Sequence, residues 1–209
     1  MTLSHLFDVL IIGGGYSGAA LAVRLSREAG RALSVGVIEP RKDVGRGVAY
    51  SALHPDHRLN GPDAVHIVLP DRPSDFPDWL KHNGLLETDA EGRAGTGAFF
   101  ARRTDFGRYM AELFSSHQAV NESRTNLIHI CARAIALQSG PASSTVTLKD
   151  GRRLRARLAV LTTSNERPAV PEPFQGYGQW HSSFLPDPWD TDCLAALAPD
   201  TPLLILGTG

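Results

Sequence analysis

Cysteine is scarce. Of 209 residues only Cys131 and Cys193 are cysteine, far apart and without a C-x-x-C pair. No disulfide framework, zinc spacing or flavin-disulfide redox pair is therefore written in the chain. An excess of one charge is missing too: 21 Lys and Arg stand against 22 Asp and Glu, a formal net charge of −1. That balance gives no electrostatic reason to expect a nucleic acid or an anionic membrane as partner. The one local excess, Arg152, Arg153, Arg155 and Arg157, reads as an exposed hairpin face rather than a nucleic-acid patch. Long apolar runs are lacking: Val9 to Ile12 is too short for a signal peptide or a membrane span, and Met1 to Asp8 has no basic segment. The expectation is a soluble, cytoplasmic protein. What the chain does have is 42% hydrophobic residues, enough to bury a sizeable core.

Phe7 to Ile12 is a β-branched apolar run stopped by glycines, the pattern of a buried parallel strand. From Ser17 the period changes. Gly18, Leu21, Ala22, Leu25 and Ala29 recur at helical spacing, and Gly30 ends the helix. Leu33 to Ile38 is a second apolar run, closed by Glu39 and Pro40. Strand, helix and strand form a βαβ unit with a right-handed crossover expected. Arg41 to Pro73 has no sustained period and is rich in Gly, Pro, Asp and His, which suits a functional loop. Ser74 or Asp75 is expected to cap a helix through Leu80, ended near Gly84. A second helix is predicted over Thr104 to His117, with Phe106, Tyr109, Met110 and Leu113 on its apolar face. Leu127 to Leu137 reads as strand. Val146 and Leu148, the Lys149-Asp150-Gly151 turn and Leu154 to Leu158 read as a hairpin, and Ala159 to Thr163 as another buried strand. Arg167 to Pro188, dense in Pro, Gly and aromatics, looks like a linker in which Phe174, Tyr177, Trp180, Phe184 and Trp189 pack. Leu203 to Leu206 begins a new strand.

Gly13-Gly14-Gly15-Tyr16-Ser17-Gly18 fits G-x-G-x-x-G between the first strand and the first helix. Gly13 permits the tight turn, Gly15 a close backbone approach to a pyrophosphate, and Gly18 close helix–strand packing. The amides and dipole of the helix N-terminus favour that anion. Glu39 ends the second strand, where its carboxylate accepts hydrogen bonds from a ribose diol and repels a 2′-phosphate. A P-loop is excluded because no Gly-Lys-Ser/Thr occurs, and a hydrolase nucleophile elbow because Ala19 follows Gly18. Leu203 to Gly209 repeats the strand-then-Gly-x-Gly pattern in miniature, the start of a second dinucleotide site.

These residues resemble the two-dinucleotide-binding-domain flavoproteins. More narrowly, the chain is similar to the FAD/NAD(P)-binding family that includes bacterial urate hydroxylases and L-aspartate N-monooxygenases. The similarity runs through Val9 to Gly18, Val37 to Arg41, Gly45 to Ser51, Leu59 to Pro62, Asp78 to Leu80, Arg102-Arg103, Phe106 to Tyr109, Asp187 to Trp189 and Leu203 to Gly209. It implies a Rossmann-like α/β fold: a three-layer, mostly parallel sheet with a β-meander insertion over 1–166, a linker over 167–200, and the first strand of an NAD(P)-binding domain at 201–209, truncated there. It implies FAD on the first motif and NAD(P)H on the second, at Gly207 and Gly209. Pro40 and Arg41 would follow the ribose acid. Gly45 to Gly47 would line the pyrophosphate and flavin side with Arg46 close to phosphate. Asn60-Gly61-Pro62 would lie beside the isoalloxazine, and backbone at Arg133 and Ala134 would meet the adenine. Thr163 falls in Thr162-Thr163-Ser164-Asn165, where family members usually carry Ala-Thr-Gly. Ala64 to Leu69 is more apolar than the family pattern.

His54-Pro55-Asp56-His57 reads as loop histidines rather than a metal site. Catalysis in such proteins belongs mostly to the flavin, and no residue here is singled out as acid or base. The leading expectation is an FAD- and NAD(P)H-dependent monooxygenase that hydroxylates a small metabolite, this portion alone being inactive. The alternatives are a non-catalytic flavin- or nucleotide-binding module and a single-cofactor NAD-dependent dehydrogenase. The oligomeric state is not legible in the sequence.

Overall fold

The computed structural model describes residues 6–52, 54–164, and 170, 172, 174–176, 184–185 and 196–205 of the remainder. The chain divides into two compact units between Ser164 and Asn165. The first contains β1 (Leu6–Ile12), α1 (Tyr16–Glu28), β2 (Ser34–Ile38), α2 (Asp75–His82), α3 (Leu85–Thr88), α4 (Arg103–Ala119), β3 (Asn126–Ile130), β4 (Ala134–Ser139), β5 (Ser144–Leu148) and β6 (Arg153–Leu161). One six-stranded sheet takes the order β3-β2-β1-β6-β5-β4. β3, β2, β1 and β6 run parallel, and β4 and β5 are antiparallel to their neighbours. This is the Rossmann-like α/β architecture with a β-meander. No helix among the described residues is long and apolar enough to cross a membrane.

The central parallel strands β1 and β2 bury both faces, as βαβ packing demands. On one face Val9, Ile11, Val35 and Val37 pack with Ala19, Ala22 and Val23 of α1 and with Phe106, Met110 and Leu113 of α4. On the other, Leu10, Ile12, Ile38 and Ile130 join Val146 and Leu148 of β5 and Ala156 of β6. The meander thus supplies the third layer. Gly36 makes the second face possible: a Cβ there would meet Leu10, Ile130 and Phe7 side chains at 2.6–3.1 Å.

α1 buries Gly18, Ala19, Ala22, Val23 and Ser26. The expected stripe is therefore rotated by a residue: the alanines let the helix lie close, and Leu21 and Leu25 fall at its margin. α4 buries every residue expected, together with Gly107, Phe114 and His117. Ser74 occupies the N-cap of α2, yet its hydroxyl donates to Asp78 Oδ2 at 2.8 Å instead of to backbone. Gly84 closes that helix at φ 68°.

Three strand expectations are corrected. Leu127 to Leu137 is two strands, because the chain leaves the parallel ladder of β3 at Cys131 and enters β4, which pairs with β5 instead. A largely apolar run cannot signal such a change of partner. The hairpin arm and the supposed next strand are one, β6, which pairs antiparallel with β5 at its start and parallel with β1 along its length. It ends at Leu161 and is not fully buried: Leu158 and Leu161 are exposed. Leu203 to Ile205 are exposed and carry no ladder among the described residues. The Asp-Gly turn and the exposed arginine face stand as expected, with Arg152 paired to Asp150. Most of 167–188, Cys193, and Gly207 and Gly209 lie outside the described residues.

The irregular stretch 41–73 is pinned rather than loose. Leu59 N–H donates to Ala101 O at 2.9 Å and Asp63 N–H to Phe99 O at 2.8 Å. Leu59, Val68 and Leu69 are buried. Arg58 forks onto buried Asp89, both bonds 2.9 Å, and Arg102 adds a third at 3.2 Å. The Arg58 guanidinium holds the Asp89 carboxyl below its ordinary range. Tyr109 donates to Asp75 Oδ2 at 2.8 Å, tying α4 to α2; burial, then this bond, pushes its phenol up.

Two variants test this packing. Alanine normally favours a helix over glycine by about 1 kcal/mol, but a Cβ at Gly107 would run into the carbonyl of Tyr50. Gly107→Ala is therefore expected to lower stability, by about 1–3 kcal/mol in urea denaturation. Asp89→Asn removes a depressed carboxylate whose stabilisation is present above the unfolded value of about 3.9 and lost as pH falls through the lower folded one. The variant should be less stable at neutral pH by on the order of 3 kcal/mol, with the gap closing in acid, as followed by thermal melts across pH.

Candidate dinucleotide site

The site lies past the C-terminal ends of the parallel strands, where open α/β sheets place their ligands. Gly13 leaves β1 at φ 110° and donates to Ile38 O at 3.0 Å. A Cβ there would meet the Thr162 carbonyl at 2.5 Å, and one at Gly18 would strike the Gly13 carbonyl. Both glycines do the jobs expected of them. Gly14 has one the sequence pattern did not assign. Its N–H donates to Glu39 Oε2 at 3.0 Å, and a Cβ there would lie 2.5 Å from Glu39 Cβ. Gly15 is the N-cap of α1; no side chain caps the helix and its first turn holds no acid. The amides of Tyr16, Ser17 and Gly18 have no intrahelical acceptor by the geometry of any helix start.

The second glycine loop abuts the first. Gly45 N–H donates to Gly14 O at 2.7 Å, and Gly45, at φ 114°, would place a Cβ 2.9 Å from Met110 backbone. Gly47, at φ 57°, would place one 3.1 Å from Gly15 Cα. Two residues without side chains thus face each other across the mouth of the turn. Arg46 between them lies 3.2 Å from Asp43 without hydrogen-bond alignment at Nε, so its guanidinium keeps donors to spare.

Glu39 is buried, and its carboxylate is turned into the glycine turn. Besides the Gly14 bond, Oε1 accepts Arg41 N–H at 3.0 Å and lies 3.4 Å from Arg41 Nη1. A carboxylate has about four acceptor positions, so about one remains for a diol, or two where a ligand displaces the long Arg41 Nη1 bond. His129 Nε2–H donates to Glu39 O at 3.0 Å and fixes the strand end. Cys131 Sγ, exposed, lies 3.5 Å from Pro40 O. Arg133 O accepts Lys149 N–H at 2.8 Å and Ala134 pairs with Leu148, so these residues stand two and three places beyond Cys131 with their strand bonds made.

Asn60 is exposed, and its Oδ1 accepts from Arg103 Nη2 at 2.7 Å. His66 Nδ1–H donates to Pro62 O at 2.9 Å. Its ring is 5.4 Å from that of Phe106, which is 5.8 Å from Tyr16 and 4.8 Å from Tyr50. Two ring contacts therefore connect the Asn60–Pro62 loop to the start of α1. Burial raises the Tyr16 phenol above its ordinary range, keeping it neutral beside the anion site. The structure thus brings together Gly13 to Gly18, Glu39, Pro40, Arg41 and Gly45 to Gly47, with Asn60 one aromatic layer away. Thr163 is exposed, one residue past the point of contact. The residue that touches the turn is Thr162, whose hydroxyl donates to Gly13 O at 2.6 Å. The sequence pattern passed over Thr162 and Arg103; the register Ile12↔Leu161 puts Thr162 opposite Gly13, a fact available only once β6 is known to lie beside β1. His54 is 3.7 Å from Asp56, and among the described residues no group of three or more His, Cys, Asp or Glu is placed to hold a metal.

A family model described as FAD-NAD(P)-binding matches residues 10–166. No curated protein matches the chain. Among solved structures, the ornithine N-hydroxylase of Kutzneria sp. 744, with reduced FAD, NADP+ and L-ornithine, aligns with TM-score 0.59 and 21% identity over 80% of this chain and 39% of its own. A flavin-containing monooxygenase from Stenotrophomonas maltophilia aligns at 0.51 and 18% identity, over 81% of this chain and 48% of its own. OTEMO in complex with FAD and NADP aligns at 0.51 and 19%, over 81% and 27%. At these identities the likeness is one of fold, and this chain spans less than half the length of each. The match over 10–166, in which every element of the glycine site falls, carries the assignment: the chain belongs to the FAD-NAD(P)-binding family.

Proposed function

We propose that the chain is the FAD-holding portion of an NAD(P)H-linked oxidoreductase, of the monooxygenase kind, acting on a small molecule. The observation that carries the reading is the junction of two glycine loops with a buried carboxylate, Gly14 N–H to Glu39 and to Gly45 through its carbonyl. This cradle fits FAD. The amides of Tyr16 to Gly18 and the spare donors of Arg46 would take the diphosphate, and Glu39 the adenosine ribose. Pro40, Arg41, Cys131, Arg133 and Ala134 would border the adenosine, Thr163 the turn, and Asn60 to Pro62 the isoalloxazine. Glu39 would reject a 2′-phosphate by charge, so NADP does not belong at this first site; Gly207 and Gly209 would open the nicotinamide site. FAD supplies two-electron chemistry, accepting a hydride from a reduced nicotinamide and delivering electrons to oxygen. The residues of this chain bind, orient and shield it. The N-hydroxylase and the flavin-containing monooxygenase of like fold support the reaction class.

The long ordered loop favours FAD over a lone NAD, since Gly45 to Gly47 add a second wall to the turn. Cofactor extracted from purified protein and identified by mass should be FAD; NAD alone would overturn the reading in favour of a dehydrogenase, and bleaching of the flavin by NADPH separates an enzyme from a passive binding module.

The geometry gives a variant that spares the fold. At φ −71° Gly15 tolerates a side chain, and a Cβ there meets only Gly47 Cα at 3.5 Å. Gly15→Ala should fold normally by circular dichroism yet raise the Kd for FAD at least about tenfold; unchanged affinity would show that the turn does not hold the diphosphate. Cys131 offers a second readout through its contact with Pro40. Alkylation of Cys131, followed by peptide mass mapping, should slow severalfold with FAD bound, whereas equal rates would remove the adenosine from this edge.

A further inference from the structure

Arg103 is the first residue of α4, and it is held at three points: its N–H donates to His57 O at 2.8 Å, its Nε to Arg58 O at 2.9 Å, and its Nη2 to Asn60 Oδ1 at 2.7 Å. The neighbouring cations each have a carboxylate partner, since Asp89 binds both Arg58 and Arg102 and Glu91 lies 3.9 Å from Arg58. Arg103 has no carboxylate within ion-pairing distance among the described residues; its bonds go to a backbone carbonyl and an amide. A guanidinium can only donate. The atom of Asn60 that meets it must therefore be the carbonyl oxygen, which settles an orientation that amide geometry alone leaves open. The Nδ2H2 group then faces away from Arg103, and no acceptor for it is found among the described residues. Asn60 is exposed, next to Gly61, which lies under His66. That places two free N–H donors, backed by an unpaired positive charge, one aromatic layer from the diphosphate cradle.

We infer that Arg103 is a positioning residue: it locks the Asn60 carboxamide so that its Nδ2H2 group donates to the acceptor edge of the flavin ring. The inference rests on the reading that FAD binds here with its ring beside Asn60 to Pro62. Arg103 bonds to none of the residues assigned here to the diphosphate or the ribose, so its loss separates ring tuning from cofactor retention. A lysine at this place keeps the charge but offers one ammonium where the fork reaches Arg58 O and Asn60 Oδ1 together.

The test compares wild type, Arg103→Met, Arg103→Lys, Asn60→Ala and the double variant Arg103→Met/Asn60→Ala. Without FAD, the Asn60 side-chain amide signals in a nitrogen–proton NMR spectrum, assigned by their loss in Asn60→Ala, should shift or broaden in Arg103→Met. With FAD, Arg103→Met should keep a Kd within about threefold of wild type, displace the visible flavin bands and change the reduced-to-oxidised ratio at fixed potential roughly 2- to 10-fold. Arg103→Lys should restore only part of the change. In the Asn60→Ala background, Arg103→Met should add nothing, because the two act through one group. Equal spectral shifts with and without Asn60 would overturn the inference, as would an Asn60 amide signal indifferent to residue 103. Should wild type bind FAD while no variant alters its bands, this inference alone falls; should wild type take up no FAD, the functional reading falls first and this with it.

Discussion

Everything at the site depends on how closely backbone can approach backbone where side chains are missing. Gly13 and Gly18 let α1 start directly on the end of β1, Gly14 admits Glu39, and Gly45 and Gly47 bring a distant loop into van der Waals contact with the same turn. Each contact is made in a space that a single methyl group would fill. The hydrogen bonds follow from that proximity: Gly14 reaches Glu39 through its N–H and Gly45 through its carbonyl, so one residue joins three segments. An anion cradle of this kind owes its field to peptide dipoles, which bring no side-chain entropy cost and do not titrate.

Around that cradle the protein spends its bulk on holding irregular backbone still. The stretch from Arg41 to Pro73 has almost no ladder of its own, yet it is fixed by apolar anchors beneath and by the Arg58–Asp89–Arg102 cluster at its edge. Phe106 sits at the centre of the aromatic layer, within ring-contact distance of Tyr16, Tyr50, His66, Phe76 and Tyr109. A helix start, two loops and two helices converge on one side chain. The apolar run Ala64 to Leu69 is half absorbed by the core: Val68 and Leu69 are buried, Val65 and Ile67 are exposed.

What the sequence made legible is local. The run Phe7 to Ile12, the glycines, the periodic helix and the acid at the end of the next strand lie within some forty positions, and each constrains its neighbours, so fold class and the position of the turn could be read. α4 was readable for the same reason, its apolar face being wide and regular. What was not readable is register across distance. Nothing in Leu127 to Leu137 marks the change of partner at Cys131, and nothing in β6 says that one strand serves two partners. Thr162 acquires its role only from lying opposite Gly13, and Asn60 its amide orientation only from Arg103. Gly14, formally an unconstrained position of the motif, is constrained by an acid that arrives from another strand.

The pairing of β1 with β6 has a consequence for biogenesis. Partners some 150 positions apart in the chain, Ile12 and Leu161 among them, must meet before Thr162 can brace the glycine turn. Contacts of such sequence separation form slowly, because loop closure is unfavourable until they are made. During synthesis the motif emerges some 150 residues ahead of its brace, which is among the last of this unit to appear. The nucleotide signature thus precedes its brace in synthesis and is completed late in assembly, and a chain cut short of β6 would carry the signature without the competence.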